Sequence, residues 1–389
     1  MRHLSIDILR TAAIFMMVVV HFVENLSATY ETQASGGHPL NPWWLPAGLA
    51  APLFTLLTGV SYAIWLGVQQ RRGVADAAIS RRTVRRGLFL LGLGVTFNVL
   101  VWLPEDTFNW DVLTLIGTAM LMLAMVRHVP LPVPVGIGLA ATFVAPVLRS
   151  IADYPAYWQN YHFDYEFTLS DVTLGFLAVG YFPVCPWLLY PLVGFVVGRT
   201  VFRDPTSSAA THTVGSRTLL MLGGLLLSAA AAVASLLSLL QTTVTSESWR
   251  PPGWTMFPPS PSYLLGTLAA GFLLLGSLHA LVDMPTPPAA SSRPRVVLPP
   301  RITAYFNRIS RHSLSIYLLH HVVHIWPLWV YGVATAGEPT AHWQSFMPAW
   351  AAAILALAFY AVCGPLFAWL DERGFPTAES VMRWVCDEG

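Results

Sequence analysis

The sequence predicts an all-α fold: a polytopic membrane bundle of about ten transmembrane helices, both termini cytoplasmic, with one span broken by proline. Three observations predict it. Of the 389 residues, 55% are hydrophobic and 11% are charged, against about a quarter charged in a soluble domain, and the mean hydropathy is +0.57. Ten apolar stretches recur at close to the 20 or so residues that a hydrocarbon core requires. All the basic side chains are Arg, and outside the spans they fall almost entirely on alternate loops, as the positive-inside bias demands.

The first stretch, 5–26, begins like a secretory leader, yet Asp7, Arg10 and His21 inside it fit a retained span. The next four run through 47–70, 86–104, 111–128 and 131–150. The sixth, 172–202, is too long for one crossing and contains "FPVCPWLLYP" around Trp187. Its three prolines predict a break, which a membrane tolerates only where the backbone faces protein or a cavity. The remaining four occupy 216–241, 261–283, 311–335 and 346–371. "MPTPPAASSRPRVVLPP" at 284–300 reads as a cytoplasmic linker within a single domain, and "AESVMRWV" as a short amphipathic helix at the interface.

Ten spans place every loop Arg except Arg149 and Arg250 on the cytoplasmic side. The loop 27–46, with "QASGGHPLNPWW" and its single His38, is then extracytoplasmic. The other outer loops are rich in aromatic and acidic residues, which suits interfacial anchoring or a wall that binds a polyol. The formal net charge of +1 offers no basic field for nucleic acid. Cys185, Cys363 and Cys386 lie far apart and form no metal or disulfide pattern.

Ionisable groups inside spans cost about 2.5–3.5 kcal/mol each on insertion scales and are functional candidates by default. Arg10 and His21 are eleven residues apart, about 16 Å of rise and within about 20° on one helical face. Asp7, one turn before Arg10, is placed to neutralise it. In "SRHSLSIYLLHHVVHIW", His320 and His324 share a face at i, i+4 and His321 points elsewhere. That spacing suits a metal, but no carboxylate or Cys lies nearby in sequence, and no metal is expected. Asn98 reads as interhelical glue. Asp111 heads the fourth span, and Tyr317 is a further polar mark. No Walker loop, dinucleotide glycine motif or His-Glu-x-x-His occurs.

At these residues the chain resembles the transmembrane acyltransferases, closest to the heparan-α-glucosaminide N-acetyltransferase family and its bacterial relatives. The resemblance rests on "SIDILRTAAIFMMVVVH", "HPLNPWWLPAGLAAPLFTLLTGVS", "RRGLFLLGLG", "DVLTLIG", "YFPVCPWLLYPLVGFVVGR", "RHSLSIYLLHH" and "GPLFAWL", in that order. The family's catalytic His precedes a Pro of the next span by about fourteen residues, and His38 and Pro52 match that spacing. Arg10 and His21 match the Arg-x10-His pattern of the related acyltransferase-3 family. Gly48 and Thr114 depart from the family at two positions, which leaves the acceptor open.

The resemblance implies acetyl transfer from cytoplasmic acetyl-CoA to an extracytoplasmic amine or hydroxyl, a sugar by preference, in a bacterial-type inner membrane, by a protein that forms homodimers. It implies Arg86, with Arg85, Arg82 and Arg10, as ligands to the CoA phosphates. His38 would be the general base, and His21 would hold the thioester carbonyl or share the proton. About ten spans with buried ionisable groups also fit a secondary transporter or flippase, although the two halves of the chain show no repeat.

Overall fold

The computed structural model describes residues 3–28, 44–103, 107–152, 154, 158–159, 162–163, 168–202, 209–241, 254–283 and 296–387. His38 and most of its loop lie outside the described residues. The helices in chain order are α1 (Leu4–Leu26), α2 (Trp44–Arg71), α3 (Asp76–Val101), α4 (Val112–Val126), α5 (Pro132–Ile151), α6 (Leu169–Leu174), α7 (Leu189–Val201), α8 (Ala209–Gln241), α9 (Pro261–Leu278), α10 (Pro300–Arg311), α11 (Ser313–Ala336), α12 (Ala349–Arg373) and α13 (Ala378–Asp387). A two-residue antiparallel ladder, β1 (Trp158–Gln159) with β2 (His162–Phe163), interrupts the loop after α5; no periodicity announced it.

All ten apolar stretches are helical. Eight helical segments among the described residues are long and apolar enough to cross a membrane, and the chain is an integral multi-pass membrane protein. The two others explain themselves. α4 has 15 residues, short of a full crossing, and α11 has 24 residues but carries three imidazoles. The proline-broken span is present. α6 runs into a π-helical turn at Gly175–Val179, the chain leaves the helix through Gly180–Pro183, and one turn at Val184–Trp187 precedes α7. The amphipathic C-terminal helix is α13. The stretch just after the proline-rich segment is α10, amphipathic and started by Pro300 at its first position.

The chain divides into two compact units, residues 55–296 in one and residues 2–54 with 297–389 in the other. In the first, glycine lets helix axes approach closely. A Cβ on Gly194 would sit 2.0 Å from the carbonyl oxygen of Leu56, and one on Gly59 would sit 1.9 Å from that of Pro191. Gly194 and Gly198 form the small-xxx-small spacing by which membrane helices pack without a hydrophobic driving force. Around this crossing Leu192, Phe195, Leu66, Ile79 and Leu123 form a buried core.

In the second unit α1 is the central element and packs on α10, α11 and α12. Its contacts give the helix directions. His21 meets His320 and Asn25 meets His324, so residue numbers rise together and α1 and α11 are parallel. The Tyr360 hydroxyl donates to the Thr11 carbonyl at 3.1 Å, and the Met347 amide donates to the Leu26 carbonyl at 2.9 Å. Numbers now fall as α1 rises, so α12 is antiparallel to it. These directions are those of the first, ninth and tenth members of an alternating ten-helix series.

Candidate active site

The polar stripe of α1 faces α11 as two rungs one helical turn apart. His21 and Asn25 are four residues apart on α1, as His320 and His324 are on α11, so each pair shares a face. At the first rung, His21 Nδ1 lies 2.9 Å from His320 Nε2. The two rings have centroids 5.2 Å apart and planes within 10°. The N–N contact plus two ring radii accounts for that separation, so the imidazoles lie end to end in one plane. At the second rung, Asn25 Nδ2 lies 3.0 Å from His324 Nε2, and Asn25 Oδ1 accepts from Trp343 Nε1 at 3.1 Å.

Backbone carbonyls fix the tautomers, since a carbonyl can only accept and the ring nitrogen facing it must carry hydrogen. His320 Nδ1 is 3.2 Å from the Ile316 carbonyl, so it is protonated. In the neutral ring His320 Nε2 is then a lone pair, and His21 Nδ1 must donate to it. That leaves His21 Nε2 as the proton acceptor of a half-buried imidazole. The same logic holds one turn on. His324 Nδ1 donates to the His320 carbonyl, and its Nε2 accepts from the Asn25 amide. Every assignment is consistent with every other.

His320, His321 and His324 are at most 3% exposed. His321, expected to point away from the pair, also reaches α1, with its ring 4.6 Å from that of His21 and 4.0 Å from that of His320. One helical step of about 100° is not enough to carry a large ring off a helix seated against α11. Tyr317 lies edge-on to both rings, at 5.6 and 5.5 Å. The ring nitrogens of His21, His320 and His321 come within 4.8 Å of one another, so these three are close enough to hold a metal ion. They offer only neutral ligands, and a shared proton already occupies the line between two of them.

Arg10 lies about 16 Å further down α1. Its Nη1 donates to the Ser310 hydroxyl at 3.1 Å, and Asp7 is buried at 3% exposure. At that end α13 docks on the start of α11. Glu379 accepts from the Ser315 amide at 2.9 Å and from its hydroxyl at 2.6 Å. It thereby caps one of the amide groups that the first turn of α11 leaves unpaired. Asp371 takes a hydrogen bond from His312 Nε2 at 3.1 Å, and Arg311 lies 3.7 Å from the same carboxylate. Burial alone would lift the Glu379 carboxyl, but the His312 ring beside it, with Nδ1 at 3.7 Å, and the hydrogen bonds from Ser315 outweigh it and hold the group below its ordinary value.

The remaining candidates belong to the unit of residues 55–296. Arg82, Arg85 and Arg86 are half-buried along α3, and the Arg86 guanidinium sits 5.0 Å from the Trp65 ring centre, within cation–π range. Asp111 is the N-cap of α4, with its Oδ1 accepting from the Thr114 amide at 3.0 Å. Asn98 donates to the Thr107 carbonyl at 3.3 Å, tying α3 to the loop before α4. Trp187 is fully buried, edge-on to Phe182 at 4.8 Å, and is a core residue. Asn25, Trp343, Ser310 and Glu379 were not singled out from sequence, and His324 was read only as a partner of His320 on one helical face. The signal for Asn25 was present, since it follows His21 by one turn.

Residues 2–229 match the family described as heparan-alpha-glucosaminide N-acetyltransferase, catalytic. No curated protein matches the chain.

Proposed function

Because the chain belongs to the heparan-alpha-glucosaminide N-acetyltransferase catalytic family, we propose that it moves an acetyl group from acetyl-CoA on the cytoplasmic side to an amine or hydroxyl beyond the membrane. It is a transmembrane acetyltransferase. The acceptor in this reading is a sugar or related polyol. The observation that carries the chemistry is the α1 stripe: a guanidinium near one end, and about 16 Å away an imidazole whose Nε2 is free to accept a proton.

Acetyl transfer needs a base for the acceptor proton, a path for the donor and an acid for the leaving thiolate. Arg82, Arg85 and Arg86, with Arg10, meet the CoA phosphates in this reading, because guanidinium pairs bidentately with phosphate. The acceptor N–H or O–H gives its proton to imidazole as its heavy atom bonds to the thioester carbonyl carbon. The C–S bond then breaks, and the imidazolium returns the proton to the CoA thiolate. General-base assistance of this kind is worth about 10²–10⁴-fold. His38 and His21 share the work. The His21 tautomer suits it to accept the proton; with Nε2 bare it cannot donate to the thioester carbonyl, which would require its protonated form. His38, in the loop after α1, positions or deprotonates the acceptor.

The test is thiol release. Purified protein with acetyl-CoA and a panel of amino sugars and sugar alcohols should release free thiol only when an acceptor is present, with the acetylated acceptor visible by mass spectrometry. Acceptor uptake into proteoliposomes without thiol release would overturn the proposal in favour of transport.

A further inference from the structure

We infer that His320 is a positioning residue for His21, which sets its tautomer and takes over its charge when His21 accepts a proton. The inference rests on the acetyltransfer reading for its purpose, and on the α1–α11 geometry for its substance.

The geometry holds a directional chain: His21 Nδ1–H to His320 Nε2 at 2.9 Å, then His320 Nδ1–H to the Ile316 carbonyl at 3.2 Å. The coplanar, end-to-end arrangement of the first two rings is the one along which a proton can pass in the ring plane. In the resting state the Ile316 carbonyl, a fixed backbone group, dictates the whole sequence of donors and acceptors. It forces the Nδ1–H form on His21, which is the minor tautomer of a free histidine side chain in water. His21 Nε2 is thus left without hydrogen, and so able to act as a base, because of a carbonyl two hydrogen bonds away.

The balance during turnover is simple. His21 Nε2 binds the acceptor proton and the ring becomes an imidazolium. Its Nδ1 proton crosses to His320 Nε2, leaving His21 neutral and His320 charged, with His320 Nδ1–H still bonded to the Ile316 oxygen. When the thiolate departs the transfer reverses, and the proton on His21 Nε2 goes to sulfur. No proton is gained or lost. The charge spends its lifetime on a ring whose second N–H is already solvated by a carbonyl dipole, instead of on one with a bare edge.

Among the described residues of this unit, the titratable groups around His21 are few. α1 contributes Glu24, one turn along. α11 contributes His320, His321, His324 and Tyr317, and α12 presents Phe359 to Phe22 and Tyr360 to Phe15, neither of which carries a charge. Of these groups it is the His320 imidazole that lies within hydrogen-bond distance of His21, at 2.9 Å, and so is placed to share the proton. The second rung stiffens this arrangement. His324 donates to the carbonyl of His320 itself, and Asn25 ties His324 back to α1.

Nitrogen-15 NMR of histidine-labelled protein in detergent, with kinetics on the same samples, tests the inference. Wild type should show His21 with Nδ1 protonated and Nε2 bare. In His320→Phe the His21 signal should move toward the Nε2–H form, and kcat should fall about ten- to a hundredfold, less than the full ~10²–10⁴ of losing a general base, with KM for acetyl-CoA unchanged. His320→Gln offers Oε1 as an acceptor to His21 Nδ1–H. It should restore the tautomer while recovering only part of kcat, because an amide cannot take the charge. An Nε2–H form of His21 in wild type, or wild-type kcat in a folded His320→Phe, would overturn the inference. So would a stoichiometric metal ion bound by His21 and His320, found by elemental analysis. A wild type that releases no thiol would overturn the acetyltransfer reading instead, leaving the nitrogen signals to decide the relay.

Discussion

Replacing Asn25 by Leu should unfasten the second rung between α1 and α11, and the structure allows the cost to be worked out. Asn25 donates to His324 Nε2 at 3.0 Å and accepts from Trp343 Nε1 at 3.1 Å. Asn25 and His324 are each 3% exposed, whereas Trp343 is half-buried and its N–H can find another partner. One buried acceptor, His324 Nε2, is therefore orphaned, at about 1–3 kcal/mol. His324→Leu orphans the Asn25 amide at a similar cost. The double variant removes both partners and should lose less than the sum. Coupling energies for polar pairs in membrane proteins average about 0.6 kcal/mol and reach about 1.7. The upper part of that range is expected here, because both groups are buried and both are held by further bonds. Unfolding in detergent across the four proteins measures it. Additivity within about 0.3 kcal/mol, the range for sites that do not interact, would refute the pairing.

Other changes test other parts of the structure. Gly194→Leu should lower the melting temperature sharply, because a Cβ there meets the Leu56 carbonyl oxygen at 2.0 Å and overpacking a tight core costs about 1–3 kcal/mol or more; an unchanged melting curve would contradict the close α2–α7 crossing. Glu379 should make the docking of α13 acid-sensitive. Its carboxyl lies below its ordinary value of 4.5 in the folded protein, so its contribution is fully present above that value and is lost as pH falls through the lower, folded value. Hydrogen exchange of residues 378–387 should accelerate on acidification in wild type and lose that dependence in Glu379→Gln. Thr267→Val should leave the fully buried Tyr190 hydroxyl without its 2.7 Å partner and destabilise the unit of residues 55–296 by about 1–3 kcal/mol, measured by the same unfolding assay.

Much of this was legible in the sequence because bilayer physics is local. A run of apolar residues must be helical to satisfy its own backbone, so all ten stretches, the proline break and the cap at Asp111 could be read from neighbours in sequence. The Arg10–His21 stripe was legible for the same reason, as both lie on one helix. Its partners were not. His320 lies 299 residues from His21, and nothing in "YLLHHVVHIW" says which helix its imidazoles face. His321 was assigned to another face, because a helical wheel treats side chains as rays while an imidazole is wide enough to touch α1 from the neighbouring position. Glu379 capping α11 through Ser315 is a contact between residues 64 apart, with all of α12 between them, and the turn that leads from α12 into α13 has no apolar period. The role of His38 rests on spacing to Pro52 and on the family. Arg86 was singled out for phosphate, and its described neighbour is the Trp65 ring, which can hold a guanidinium in place beside an anion.

The most direct measurement is the steady-state rate of thiol release from acetyl-CoA, with a sugar acceptor, by wild type, His21→Ala and His38→Ala, each checked for an intact fold. The account predicts that each variant loses about a hundredfold or more in kcat while the KM for acetyl-CoA changes little. Full wild-type turnover by His21→Ala would contradict it, whatever His38 proved to do.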